Sequence, residues 1–138
     1  MKGNEIMMKK NKIITITALI LIITVLIAPA ASAARLADPL FESVTTNLLS
    51  AKVASFSAMT NEVQNRIAVT RCMLYKKNGA AWIYVRDLPT PSEVGMNTLL
   101  YGSAMDYSGY IGSGTYRLYV TYCADEHSIS RYSNTRTY

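Results

Sequence analysis

Over residues 116–122 hydrophobic and polar positions alternate: Tyr116, Leu118, Val120 and Tyr122 share one parity, and Arg117, Tyr119 and Thr121 the other. A period of two carried by β-formers predicts a strand whose first set faces the core. The glycine-rich segment 109–114 before it supplies turn chemistry and is expected to be a hairpin turn. Ala124-Asp125-Glu126-His127 predicts a second turn, leading into a closing strand over 128–138 that is rich in Ser, Thr and Tyr.

Upstream, residues 66–76 (RIAVTRCMLYK) are too β-branched in their first half for a helix. Asn78-Gly79 then signals a tight turn, and 81–85 (AWIYV) predicts a partner strand, so the two runs form a hairpin. Pro89 and Pro91 end that strand and open a loop to about Met96; residues 97–106 predict another strand with Leu99 and Tyr101 on one face. Residues 44–59 are ambiguous. Leu49, Val53 and Phe56 have helical spacing, whereas Ala54, Phe56 and Ala58 alternate with Ser55 and Ser57. Two short strands are the preferred reading, a helix the alternative. The result is six or seven short strands separated by turns, the pattern of an all-β antiparallel sandwich of immunoglobulin or fibronectin III type.

The N-terminus follows a different pattern. Lys2, Lys9, Lys10 and Lys12 precede the uncharged run 13–27 (IITITALILIITVLI), and Ala31-Ser32-Ala33 follows with small–x–small spacing. A positive start, an apolar middle and a small-residue end predict a secretory signal over residues 1–33, cleaved between Ala33 and Ala34. The alternative is a retained anchor, since residues 13–34 hold 22 positions without a charge. The last seven of these are small residues and Pro29, too weakly apolar for a span. The expected organisation is a signal (1–33), a loose lead-in (34–43) and one domain (44–138), secreted and meeting a membrane only through the signal.

Removing the signal changes the charge picture. Four of the 14 Lys and Arg and one of the nine acids fall in residues 1–33, leaving ten basic against eight acidic side chains, a net of +2. The remaining basic residues are scattered along the chain, which argues against a nucleic-acid partner. Cys72 and Cys123, expected in an oxidising compartment, predict one disulfide; free thiols or intermolecular pairing are the alternatives. The loop of roughly 50 residues that the bond would close is worth roughly 4 kcal/mol in a chain-entropy model. In such a sandwich the third and penultimate strands lie side by side, and parity turns Cys123 outward. Cys72 shares parity with Ala68 and Thr70 and would also point outward, unless a bulge near Arg71 reverses it.

The run 74–82 (LYKKNGAAW), Gly114-Thr115-Tyr116-Arg117, and 126–130 (EHSIS) with a terminal Ser/Thr/Tyr strand resemble a family of small secreted proteins of Gram-positive bacteria of unknown function. The resemblance spans most of residues 45–138. It implies export and a six- or seven-stranded sandwich, and brings no known activity or site.

Candidate chemistry is sparse. Asp125-Glu126-His127 brings acids to the single histidine, yet neighbouring side chains in an extended chain point apart, so a polar turn is the preferred reading and a small enzyme or inhibitor the alternative. No Gly-x-Ser-x-Gly elbow, P-loop ending or zinc-ligand spacing is present. No cofactor or metal is expected. The aromatic residues are the stronger lead: Trp82, Tyr84, Tyr101 and Tyr119, with Tyr107 and Tyr110, supply rings for stacking or adhesion, against the alternative that they pack in the core. The expected function is non-enzymatic binding of a cell-wall glycan, host glycan or surface protein. A structural or assembly module is a further alternative, which an open edge strand would favour.

Overall fold

The computed structural model describes residues 39–138. The expected export signal, its cleavage site at Ala33–Ala34 and the start of the lead-in lie outside the described residues. Seven strands follow in chain order: β1 (Phe41–Leu48), β2 (Val53–Asn78), β3 (Ala81–Leu88), β4 (Gly95–Asp106), β5 (Thr115–Ala124), β6 (His127–Tyr132) and β7 (Arg136–Thr137). A 3-10 turn, Ser108–Tyr110, lies between β4 and β5. All pairings are antiparallel and join the strands into one curled sheet. Residues 44–59 therefore belong to two strands joined by a turn at 49–52, as their Ala/Ser alternation suggested. β1 begins at Phe41, inside the expected lead-in, because its ring is buried in the core.

Strand β2 is 26 residues long, against a usual length of about 5–6. The sequence pattern divided it into two strands; in the structure it is continuous and serves two sets of neighbours. Its first half lies between β1 and β4, and its second half between β3 and β5. Pairing with β4 breaks between Met59 and Gln64. There the Thr60 hydroxyl donates to the Glu62 carbonyl at 2.8 Å, and the Gln64 side-chain amide donates to the same carbonyl at 3.0 Å. Both side chains are buried. They satisfy backbone that the interrupted ladder leaves without a partner, as buried backbone requires.

The curl brings β1 over the inner face of β5, where the burial pattern alternates without interruption and Tyr116, Leu118, Val120 and Tyr122 all point inward, as expected. The Tyr122 hydroxyl donates to the Thr45 carbonyl at 2.7 Å and meets the Thr46 hydroxyl at 2.6 Å. Nearby, the Asn134 side chain accepts from the Leu48 N–H at 2.6 Å and donates to its carbonyl. Tyr138 donates to the Leu49 carbonyl at 2.7 Å and pairs with the Tyr107 hydroxyl. The polar tips of buried rings thus tie β1 to the C-terminal strands, and burial raises the Tyr122 phenol above the usual tyrosine range.

Two expectations are corrected. Residues 109–114 do not form a hairpin turn: β4 and β5 each pair with β2 and not with one another, so this segment crosses between the two halves of the sheet. The disulfide also does not form; Cys72 and Cys123 are both free. The register between β2 and β5 shifts between Val69 and Arg71, which reverses the parity of β2 and turns Cys72 into the core opposite Val120. Cys123 lies opposite Ala68 on the other parity of β5. Three residues of offset along β5 correspond to roughly 10 Å, beyond the reach of a disulfide of about 7 Å between Cα atoms.

Two predictions follow from the closure and the bulge. Tyr122→Phe is expected to lower stability by about 1–3 kcal/mol, since it leaves the Thr45 carbonyl and the buried Thr46 hydroxyl without this partner; an unchanged denaturation midpoint would count against this closure. Burial first, and then the charge of Asp87, push the Cys72 thiol from 9.0 up to about 12. The folded state therefore holds a proton that the unfolded chain releases, so this contribution is intact below pH 9.0 and is lost as pH climbs toward 12. Thiol titration of the native protein is expected to modify Cys123 and spare Cys72 until denaturant is added. Two unreactive thiols, native and denatured, would reinstate the disulfide.

Candidate functional site

The outer face of β3, the second half of β2, β5 and β6 is built by two hairpins brought side by side. The β2–β3 hairpin turns at Gly79-Ala80, with Gly79 at a φ of +60° that a side chain would strain. Its register sets Trp82 opposite Lys77 and Tyr84 opposite Tyr75. The β5–β6 hairpin turns at Asp125-Glu126 and sets Tyr119 opposite Tyr132. Pairing of β2 with β5 then places Tyr75 opposite Arg117. The residues of β5 that alternate with the core set, Arg117, Tyr119 and Thr121, lie in the middle of this surface.

Arg117 is its centre. The guanidinium carbon lies 3.8 Å from the centroid of the Tyr132 ring and 4.3 Å from that of Trp82, with Tyr75 at 6.0 Å. Stacking a guanidinium on aromatic faces contributes about 0.5–2 kcal/mol per contact, more where water is excluded. Around it the rings meet at steep angles: Tyr75 and Tyr84 at 5.9 Å and 73°, Tyr75 and Tyr132 at 6.1 Å and 73°, Tyr119 and Tyr132 at 4.7 Å and 55°. The surface accordingly presents ring edges, phenolic hydroxyls and a guanidinium rather than one flat platform. Tyr84 and Tyr132 remain 50% and 48% exposed, so their hydroxyls and edges are available to a ligand.

Of the four aromatic residues expected to bind, the structure brings Trp82, Tyr84 and Tyr119 together here. Tyr101 belongs elsewhere. It is 5% exposed, packs in the core from β4 and donates to the Ser103 hydroxyl at 3.1 Å. Tyr107 is wholly buried as well, and Tyr110 lies under Arg86 at 5.3 Å. Tyr75, Arg117 and Tyr132 are the members that sequence reasoning passed over. Hairpin register, counted outward from each turn, carries the signal for Tyr75 and Tyr132.

The segment 125–127 has a structural task. Asp125, at a φ of +49°, directs its carboxylate back to β2, where it accepts from the Asn65 and Arg66 backbone N–H groups, both at 3.0 Å, and from the Asn65 side chain at 3.3 Å. A carboxylate saturated by three donors is a clamp on the β5–β6 turn rather than a free base. Among the described residues no group of three His, Cys, Asp or Glu side chains converges as a metal site would require. An open groove of about 560 Å³ lies at the break in β2, its lining including Glu42, Met59, Val63, Leu99 and Leu100. Glu42 is its single titratable lining residue, so the groove offers no acid–base pair.

No protein-family model, curated protein or solved structure matches the chain.

Proposed function

We propose that this chain is a secreted or cell-surface-associated, non-enzymatic domain that binds a glycan through the aromatic face of β3, β2, β5 and β6. The observation that carries this reading is the gathering of Trp82, Tyr75, Tyr84, Tyr119 and Tyr132 around Arg117 on a solvent-facing surface. Such a surface offers angled aromatic rings to the C–H groups of a sugar, and hydroxyls and a guanidinium to its polar edges. Exposed aromatic clusters on a small domain mark interaction sites. The expected export signal supports a ligand outside the cell. The resemblance to small secreted Gram-positive proteins supports both that compartment and a sandwich of immunoglobulin or fibronectin type, with the curl of the sheet over β1 as its basis.

One observation favours an assembly role as the second reading. Among the described residues β4, 12 residues long, pairs on one side only, with β2. An open edge of this length is a template for strand addition.

Purified residues 34–138 are expected to be retained on bacterial cell-wall sacculi or on a glycan matrix. Trp82→Ala and Tyr84→Ala, each with a thermal melt that shows it folded, should weaken retention by about tenfold or more, the size of losing a central aromatic contact. Absence of retention on every matrix would defeat the glycan reading. Concentration-dependent growth in sedimentation coefficient in its place would favour assembly through β4.

A further inference from the structure

Resting on that reading of the aromatic face, we infer that its ligand is an anionic glycan, a polymer of sugars or polyols bearing phosphate or carboxylate groups, and that Arg117 is the residue that receives the anion. Three observations lead there.

The first is the state of Arg117. A guanidinium carries five N–H donors and is always charged. Here it makes no hydrogen bond and no ion pair within the described residues. Its Nε is buried without a partner, while the two terminal nitrogens, also unbonded, keep contact with solvent. The rings of Tyr132 and Trp82 both lie against the group, at 3.8 and 4.3 Å, and restrict its movement. A half-buried guanidinium held rigid, with its bidentate fork unused, is prepared for an oxyanion, because planar pairing with carboxylate or phosphate requires that fork.

The second is an excess of base over acid. Residues 67–78 of β2 together with β3, β5, β6 and the β5–β6 turn contain six basic residues (Arg71, Lys76, Lys77, Arg86, Arg117 and Arg131) and three acidic ones, Asp87, Asp125 and Glu126, of which Asp125 is held by the Asn65 and Arg66 backbone. Asp87 is already engaged, by Arg71 at 3.7 Å and by the Tyr84 hydroxyl at 3.3 Å. The other half of the sheet has the opposite balance. β1, residues 53–66 of β2 and β4 contain Glu42, Glu62 and Asp106 against Arg66. Basic residues dispersed along the chain are therefore collected by the fold into the half that bears the aromatic face. A cationic field over that half draws in a polyanion and repels it from the acidic half.

The third is the chemistry around the guanidinium. Lys77 lies beside Trp82 by register, and the hydroxyls of Thr121 and Ser130 pair at 2.8 Å further along the same face. Repeated hydroxyl and cation positions over four strands suit a polymer with alternating hydroxyl and anionic groups better than a single small anion. The steep ring angles leave no stack of parallel faces for successive bases, which separates this ligand from a single-stranded nucleic acid.

The test is retention and affinity measurement of residues 34–138 on poly(glycerol phosphate), polygalacturonate, cellulose, chitin and oligo(dT). The expected result is tighter binding to one or both anionic polymers than to cellulose and chitin, by about tenfold or more, with release as salt is raised. The phosphate and uronate arms distinguish the two sources of the anion. Arg117→Gln is expected to remove that preference, and Arg117→Lys to restore it only in part, since an ammonium lacks the fork. Should Arg117→Gln fail to fold, the salt dependence and polymer ranking of the parent decide the matter alone. Equal binding to neutral and anionic polymers, or an Arg117→Gln variant that keeps the preference, would overturn this inference and leave the glycan reading intact. Binding to oligo(dT) in preference to all glycans, or to no matrix at all, would overturn both.

Discussion

One strand that must belong to two halves of a sheet is the constraint on which this structure depends. β2 passes through all of it, and every other strand either pairs with β2 or hangs from one that does. A straight strand of 26 residues would extend roughly 85 Å and could not bury both of its ends in one core. The break at 60–64 and the register shift at 69–71 resolve that conflict. The first bends the strand, with Thr60 and Gln64 supplying the lost backbone partners; the second moves Cys72 and Leu74 to the core side. Once β2 has bent, β1 comes within reach of β5, and the Tyr122 hydroxyl closes the gap. Polar groups at the tips of buried rings thereby set how far the sheet curls.

The same constraint creates the aromatic face. With Cys72 and Leu74 directed inward, Tyr75 is directed outward, beside Tyr84 on one flank and Arg117 on the other. Without the shift at 69–71, the residues of β2 around Tyr75 would exchange faces, since a slip of one position inverts a strand. Tyr75 would then enter the core and the ring around Arg117 would lose a wall. Fold and proposed site are in this sense one problem: the irregularity that turns Cys72 into the core is also the one that assembles the surface.

Much of this was legible in the residues. The alternation over 116–122 identified the buried face of β5, and the turn signals at 78–79 and 124–127 located both hairpins; the turns form at 79–80 and 125–126, and these registers bring Tyr84 to Tyr75 and Tyr119 to Tyr132. These are local signals, set by turn chemistry and a period of two. The long-range features were not legible. That β2 continues through 61–64 depends on which side-chain donors can replace ladder bonds, and alternation is silent there. The placement of Arg117 between Trp82 and Tyr132 depends on pairing between strands about 40 residues apart in sequence, which no local pattern encodes. Tyr101 was misplaced for a related reason: alternation along β4 does not tell which of its faces the curl of the sheet buries, and Tyr101 lies on the buried one.

The central claim is that ligand engages the surface around Arg117, and Trp82, the one tryptophan of the chain, is a native reporter on it. Titration of residues 34–138 with soluble poly(glycerol phosphate) and polygalacturonate, followed by tryptophan emission, tests it most directly. A saturable change in Trp82 emission that disappears in a folded Arg117→Gln variant is the result the account predicts. Binding that is detected by retention but leaves Trp82 emission unchanged would place the ligand elsewhere on the molecule and contradict it.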